Sequence, residues 1–173
     1  MLLLIVSLFL LTAAVYDWRT MEIPNWIPIA GIIIAVTLNL FHLNDISFGK
    51  MLLNALIVFV PLFLLWAVTT LFHFKAIGAG DVKLFGVTAL FIPLTDSFLL
   101  ILITLVLGSI IALCKIHPKR FIEMFEDLSY FLFYGIPGKS EEQLKKVPLG
   151  PALFLAFMFY LTPYYDLFSS YWR

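Results

Sequence analysis

Six stretches without charged residues constrain the fold of this 173-residue chain more than any other feature. A helix that crosses the hydrocarbon core of a membrane needs about 20 consecutive, mostly apolar residues. The stretches occupy residues 1–16, 23–44, 51–74, 84–95, 97–114 and 147–165. The fourth is short, with 12 residues, whereas the others are close to the required length. We therefore predict an all-α, polytopic membrane protein with six transmembrane helices.

The overall composition agrees with this class and excludes others. Hydrophobic residues make up 62% of the chain and charged residues 13%, against roughly 45–50% and about 25% in soluble domains. Eleven basic residues balance eleven acidic ones, so the chain offers no basic face for nucleic acid. The single cysteine, Cys114, excludes a disulfide framework and a four-cysteine zinc module. The histidines show no metal-ligand spacing, and we expect neither a metal site nor a cofactor.

The first stretch is interpreted as a retained helix and not as a cleaved signal peptide. It lacks a basic region at its start, and bulky Val15 and Tyr16 follow the small residues at which cleavage would be expected. The whole chain, residues 1–173, is then expected to form one membrane-embedded domain.

Basic residues are distributed unequally between the two sides of the membrane. With six spans, segments 17–22, 75–83 and 115–146 share one side and hold nine Lys and Arg residues, against two on the other side. Cytoplasmic loops carry an excess of basic residues. This side is therefore predicted to be cytoplasmic, in the cell (inner) membrane, with both termini outside the cytoplasm.

The cytoplasmic segment 115–146 contains an amphipathic pattern. Between residues 121 and 133, apolar residues recur at helical spacing and acidic residues fall on the other face. The pattern predicts a helix between the fifth and sixth spans that lies flat on the cytoplasmic leaflet. A substrate-binding element is the alternative interpretation.

Two aspartates lie at the cytoplasmic ends of predicted spans. Asp17 closes the first stretch and Asp81 precedes the fourth, and these are the two shortest, with 16 and 12 residues. Both carboxylates are thus expected slightly below the membrane surface, where charge is costly unless it is paired, hydrated or functional. Two carboxylates that meet in a low dielectric share a proton, so one can activate water while the other protonates a carbonyl oxygen. This is the chemistry of aspartic proteases.

Each aspartate taken alone has a simpler interpretation. Asp81 follows Gly-x-Gly and would serve as a helix cap, and Asp17 would be a charge beside the membrane. The remaining aspartates next to predicted spans are assigned to the outer side, where we expect them to be solvated: Asp45, Asp96 and Asp166.

Three motifs resemble, in the same order, those of the type IV prepilin peptidases, which are Gly-x-Gly-Asp intramembrane aspartyl peptidases. The resemblance covers nearly the whole chain. The matching residues are Asp17, Arg19, Ile23, Pro24 and Asn25 in the first motif, Gly78, Gly80, Asp81, Lys83 and Leu84 in the second, and Pro148, Gly150 and Pro151 in the third.

The resemblance implies an endopeptidase that removes the short basic leader peptide of prepilins at the cytoplasmic face of the membrane. Asp17 and Asp81 would be its catalytic pair. The other matching residues would support the motifs, and no chemical step is assigned to Arg19, Asn25 or Lys83. The expected partners are a prepilin-like substrate and the lipid bilayer, while the oligomeric state is open.

The chain departs from the long, bifunctional members of that family. Those members carry paired Cys-x-x-Cys motifs and methylate the new N-terminus with S-adenosylmethionine, whereas this chain has one cysteine. It is therefore similar to the short, peptidase-only form of tight-adherence (Flp-type) pilus systems, and no methyltransferase activity is expected. Archaeal preflagellin peptidases are also similar, and presenilin-type proteases are similar in part.

Two other classes of function stay open at this stage. In a small transporter, the aspartate pair would be a proton or cation site. In a structural subunit of a membrane assembly, the pair would have no chemical role.

Overall fold

The computed structural model describes residues 2–44, 46–71, 78–115 and 148–162, and within these ranges every regular element is an α-helix. The all-α prediction is confirmed for this part of the chain. The six described helices are α1 (Leu2–Thr20), α2 (Trp26–Leu40), α3 (Phe48–Leu71), α4 (Ala79–Thr88), α5 (Leu94–Lys115) and α6 (Gly150–Tyr160).

Three of the described helices are long and apolar enough to cross a membrane, namely α1, α3 and the Leu94–Ala112 part of α5. Helices α2 and α6 are apolar but shorter, with 15 and 11 residues. Apolar helices of this length support a membrane protein, but they do not confirm six spans. The predicted amphipathic helix at 121–133 and most of segment 115–146 lie outside the described residues.

The fourth predicted span, 84–95, is not one helix. Helix α4 ends at Thr88 after 10 residues, which corresponds to about 15 Å at 1.5 Å per residue, and α5 begins at Leu94. Pro93 explains the break, because a proline disfavours helical geometry at the residue before it. Helix α4 is therefore only about half as long as a hydrocarbon core of roughly 30 Å is thick.

Buried amides close the far end of α4. The turn 89–92 is fully apolar and buried, so its carbonyl groups need partners within the protein. The side-chain amide of Asn44 donates a hydrogen bond to the Leu90 carbonyl at 3.3 Å, and that of Asn54 donates to the Ile92 carbonyl at 3.4 Å. These contacts join the far end of α4 to the residues before α3 and to α3 itself.

Helix α1 packs along α6, and this contact positions the end of α1. The buried residues Val6, Leu10 and Ala13 recur every three or four positions and form one face of α1. Asp17 continues the same face one turn later and is also buried. The face meets small and apolar residues of α6, so Asp17 arrives at the beginning of α6.

Candidate active site

Asp17 contacts the N-terminus of α6 directly. Its side chain is only 4% exposed, and the backbone N–H of Gly150 donates a hydrogen bond to its Oδ2 atom at 2.7 Å. The first N–H groups of a helix have no partner within the helix, and a hydrogen bond from such a group to a carboxylate is charge-assisted. Pro151 follows at a position where its missing N–H is not needed.

Gly150 allows this approach because it has no side chain. A Cβ atom at this position would lie 2.9 Å from the Asp17 Cβ, 3.0 Å from its Oδ2 and 3.3 Å from the Ala14 Cα. All three distances are shorter than ordinary van der Waals contact, and one of the atoms belongs to the backbone. A larger residue would therefore displace either Asp17 or the start of α6.

Asp81 lies in the first turn of α4, as the sequence predicts for a helix beginning near this residue. A backbone hydrogen bond links its carboxylate to Gly78, the residue that precedes the helix. A Cβ on Gly78 would lie 2.7 Å from the Asp81 Oδ2. Glycine at this position therefore leaves room for the Asp81 carboxylate to bend back toward the beginning of the helix. The arrangement is one half of a capping box.

The structure brings Asp81 within electrostatic range of Asp17. Asp81 precedes the fourth charge-free stretch, residues 84–95, and lies outside the three helices that are long enough to span a membrane. Burial is the larger cause, and the negative charge of Asp17 the second, of a rise in the pKa of Asp81 from 3.8 to about 7. The hydrogen bond with Gly78 acts in the opposite direction. A carboxyl group with this pKa can carry a proton near neutral pH.

The connection between α1 and α2 packs against the first turn of α4. A Cβ on Gly80 would lie 2.9 Å from the Ile23 Cβ, which shows how closely the two segments approach. Beside this contact, the Nζ of Lys83 donates a hydrogen bond to the Oδ1 of Asn25 at 2.7 Å. The first two motifs of the sequence are therefore in direct contact.

The remaining predicted residues lie around this cluster or away from it. Arg19 is exposed in the last turn of α1, and Pro24 is half-buried in the connection to α2. The prediction that Asp96 is solvated was wrong, because its side chain is only 4% exposed in the first turn of α5. Asp45 and Asp166 lie outside the described residues.

Sequence reasoning identified the Pro-x-Gly-Pro motif but missed its contact. The motif gave no role to Gly150, whose N–H holds Asp17. Ile23 was likewise included in a motif without its packing partner Gly80. Within the described ranges, no group of three His, Cys, Asp or Glu side chains has an arrangement that could hold a metal ion.

The described part of the chain thus has the features of a helical membrane protein. It contains long apolar helices, and two carboxyl groups, those of Asp17 and Asp81, lie within electrostatic range of each other. The model of the type IV leader peptidase family matches residues 4–113, well over half of the 173 residues. The chain belongs to the type IV leader peptidase family, as its motifs predict, and is therefore a peptidase. The match includes Asp17 and Asp81 and ends before α6. Neither a curated protein nor a solved structure matches the chain.

Proposed function

We propose that the protein is an intramembrane aspartyl endopeptidase that removes the basic leader peptide from type IV prepilin-like precursors at the cytoplasmic face of the membrane. The proposal rests mainly on one observation, the juxtaposition of Asp17 and Asp81 at the ends of α1 and α4. Membership of the leader peptidase family supports the reaction class.

The two carboxyl groups divide the chemistry between them. Asp81, whose pKa is about 7, carries the proton and donates it to the carbonyl oxygen of the scissile peptide. Asp17 takes a proton from a water molecule, whose oxygen attacks the carbonyl carbon. The tetrahedral intermediate then breaks its C–N bond. The proton held by Asp17 passes to the leaving amine, and one hydroxyl group of the intermediate returns a proton to Asp81. The products are a free carboxyl group and a new N-terminus.

The surroundings of the pair suit a peptide substrate. The residue before α4 is the exposed Gly78, so no side chain covers Asp81 from that direction. A substrate helix must unwind locally before water can reach the carbonyl group of the scissile peptide. In this proposal, the substrate unwinds beside the first turn of α4, where the end of α1 and the beginning of α6 also lie. The proposed substrate combines a basic leader in the cytoplasm with an apolar helix in the bilayer.

The assay that tests this function is cleavage by the purified protein in lipid vesicles. A Flp-type prepilin is incubated with the wild-type protein and with Asp81→Asn, and the new N-terminus is sequenced. We expect a single cut after the basic leader by the wild-type protein and, over the same time, a cut at least about a hundredfold slower by the variant. Absence of cleavage by the wild-type protein, or equal cleavage by the variant, would refute the proposal.

The orientation in the inner membrane is part of the same proposal and has its own test. Cys114 is exposed near the end of α5 that is predicted to be cytoplasmic. Gly49, near the start of α3, is exposed on the predicted outer side. A membrane-impermeant thiol reagent applied to intact cells should spare Cys114 but label Gly49→Cys in a Cys114→Ser background. The opposite labelling would place the aspartates on the wrong side.

A further inference from the structure

The side chain of Asn25 makes an unusual choice of partner. Asn25 is the N-cap residue of α2, a position where asparagine normally accepts a hydrogen bond from the first turn of its own helix. Within the described first turn of α2, the side chain makes no such bond. Its Oδ1 instead accepts a hydrogen bond of 2.7 Å from the Nζ of Lys83, which lies 58 positions later in the chain.

The location of Lys83 gives this contact its significance. Residues two positions apart on a helix point in directions about 200° apart, at roughly 100° per residue. The Asp81 carboxylate lies over Gly78 within electrostatic range of Asp17, whereas Lys83 reaches Asn25 from another side of the same helical turn. The first turn of α4 therefore has the end of α1 near one side and is bonded on another side to the connection that follows α1.

This turn needs an external hold. It begins with Gly78, which has no side chain for capping, and contains Gly80, and glycine loses more backbone entropy on folding than any other residue. The charges of Asp17 and Asp81 also oppose each other, so the electrostatic force between the motifs is repulsive when both are ionised. The packing of Ile23 on Gly80 and the Asn25–Lys83 hydrogen bond act against both effects.

We propose that Asn25 and Lys83 form a clasp between the first two motifs, and that the clasp positions Asp81 relative to Asp17. Both are positioning residues, since they are argued to act through the placement of Asp81 and not on the substrate. The role rests on the proposed peptidase function. A misplacement of about 1 Å can reduce a rate 10²-fold, so we expect loss of the clasp to lower kcat by between about tenfold and a hundredfold.

A double-mutant cycle on prepilin cleavage tests the clasp. Asn25→Ala, Lys83→Ala and the double variant are compared with the wild-type protein in lipid vesicles. Both residues are exposed, so these truncations leave the buried core intact. We expect each single variant to lower kcat to a similar extent, with KM within about threefold, and the double variant to be no worse than either, because residues that act as a unit are non-additive.

Two further variants separate the clasp from other roles. Asn25→Asp keeps an oxygen acceptor for the Lys83 ammonium group and should retain most of the kcat. Lys50→Ala removes an exposed lysine at the other end of the molecule, in the first turn of α3, and should leave both kcat and KM unchanged. If Asn25 and Lys83 instead bound the leader peptide, their loss would raise KM and leave kcat unchanged.

Each outcome is decisive. A non-additive loss of kcat with rescue by Asn25→Asp supports the clasp. Additive losses, losses confined to KM, or unchanged kcat in both single variants overturn it while leaving the peptidase function intact. A wild-type protein that cleaves no prepilin refutes the peptidase function and, with it, the positioning role.

Discussion

The two ends of α4 are held by polar contacts of different kinds. At its far end, neutral amides of Asn44 and Asn54 donate hydrogen bonds to backbone carbonyls, and every group in these pairs is uncharged. At its first turn, Asp81 lies in the field of Asp17, and their charges conflict. A buried polar group that is hydrogen-bonded contributes to stability, whereas a partly buried charge near a like charge destabilises the fold. The far end is built for stability and the first turn for chemistry.

The strongest way to test this contrast is to remove charge at one end only. Asp17→Asn and Asp81→Asn should each reduce prepilin cleavage by a factor on the order of 10²–10⁴, since the amide cannot transfer the required proton. The double variant should be no slower than the slower single variant. Initial rates of cleavage in vesicles, normalised to folded protein, measure the effect.

Asp96→Asn is the matched control for those variants. Asp96 is as deeply buried as Asp17 but lies in the first turn of α5, after the far end of α4. Its replacement should leave the rate of cleavage per folded molecule unchanged. A loss comparable to that of Asp81→Asn would mean that the far end takes part in the chemistry, and the contrast would fail.

A smaller loss of cleavage activity is expected when the Asp17 carboxylate is kept but displaced. In Gly150→Ala, the new Cβ would meet Asp17 at 2.9–3.0 Å, so either Asp17 or α6 must shift. We expect kcat to fall between about tenfold and a hundredfold. Gly49→Ala is the control, because no described atom lies within 4 Å of the added Cβ. Equal activity in the two alanine variants would show that the Gly150 contact does not position Asp17.

How much of this site follows from sequence depends on the residue. Asp17 and Asp81 could be singled out in advance, because a charge beside an apolar stretch is conspicuous and both were predicted on the same side, and the resemblance of their motifs suggested that they form a pair. The burial of Asp96 could not, since it depends on how α3, α4 and α5 pack at the far end. A charge-free stretch also does not show where a helix ends within it. Here α4 ends at Thr88 and α5 begins at Leu94, and Pro93 marks the break between them.

The tertiary contacts of the motifs were equally out of reach. A motif states that Gly150 and Asn25 accompany the aspartates, but not which atoms they meet. An asparagine before a helix predicts a cap, and only the folded chain shows that Asn25 bonds to Lys83 instead. The length and spacing of apolar residues predicted the helices, whereas the partners of polar side chains across the fold required the structure.

The protonation of Asp81 links activity and stability, and both are expected to decrease as pH rises. If Asp81 is the acid, cleavage should fall as pH rises through about 7, to roughly a tenth of its maximum one pH unit above that value. Between pH 3.8 and about 7, the folded protein holds a proton on Asp81 that the unfolded chain has lost, so stability decreases as pH rises across this window. Asp81→Asn removes this decrease.

Thermal unfolding in detergent checks the linkage. Wild-type protein and Asp81→Asn should have similar melting temperatures near pH 4, and the variant should melt higher at pH 8. The inactive variant would then be the more stable one above the pKa of Asp81, where the wild-type protein has lost the proton. A constant difference between the two proteins across this range would show that Asp81 has the same affinity for protons in the folded and unfolded states.

The smallest effect is expected at the far end. Asn54→Ala removes the donor to the Ile92 carbonyl, and its 3.4 Å length indicates a weak hydrogen bond, so we expect a loss of about 1 kcal/mol in the free energy of unfolding. Cleavage per folded molecule should stay unchanged, because α4 keeps its second amide contact through Asn44. Chemical unfolding and initial cleavage rates measure the two quantities separately.

Lys50→Ala, at an exposed position in the first turn of α3, should change neither the free energy of unfolding nor the rate of cleavage. A variant at Asn54 that loses activity but no stability would reverse the roles assigned to the two ends of α4.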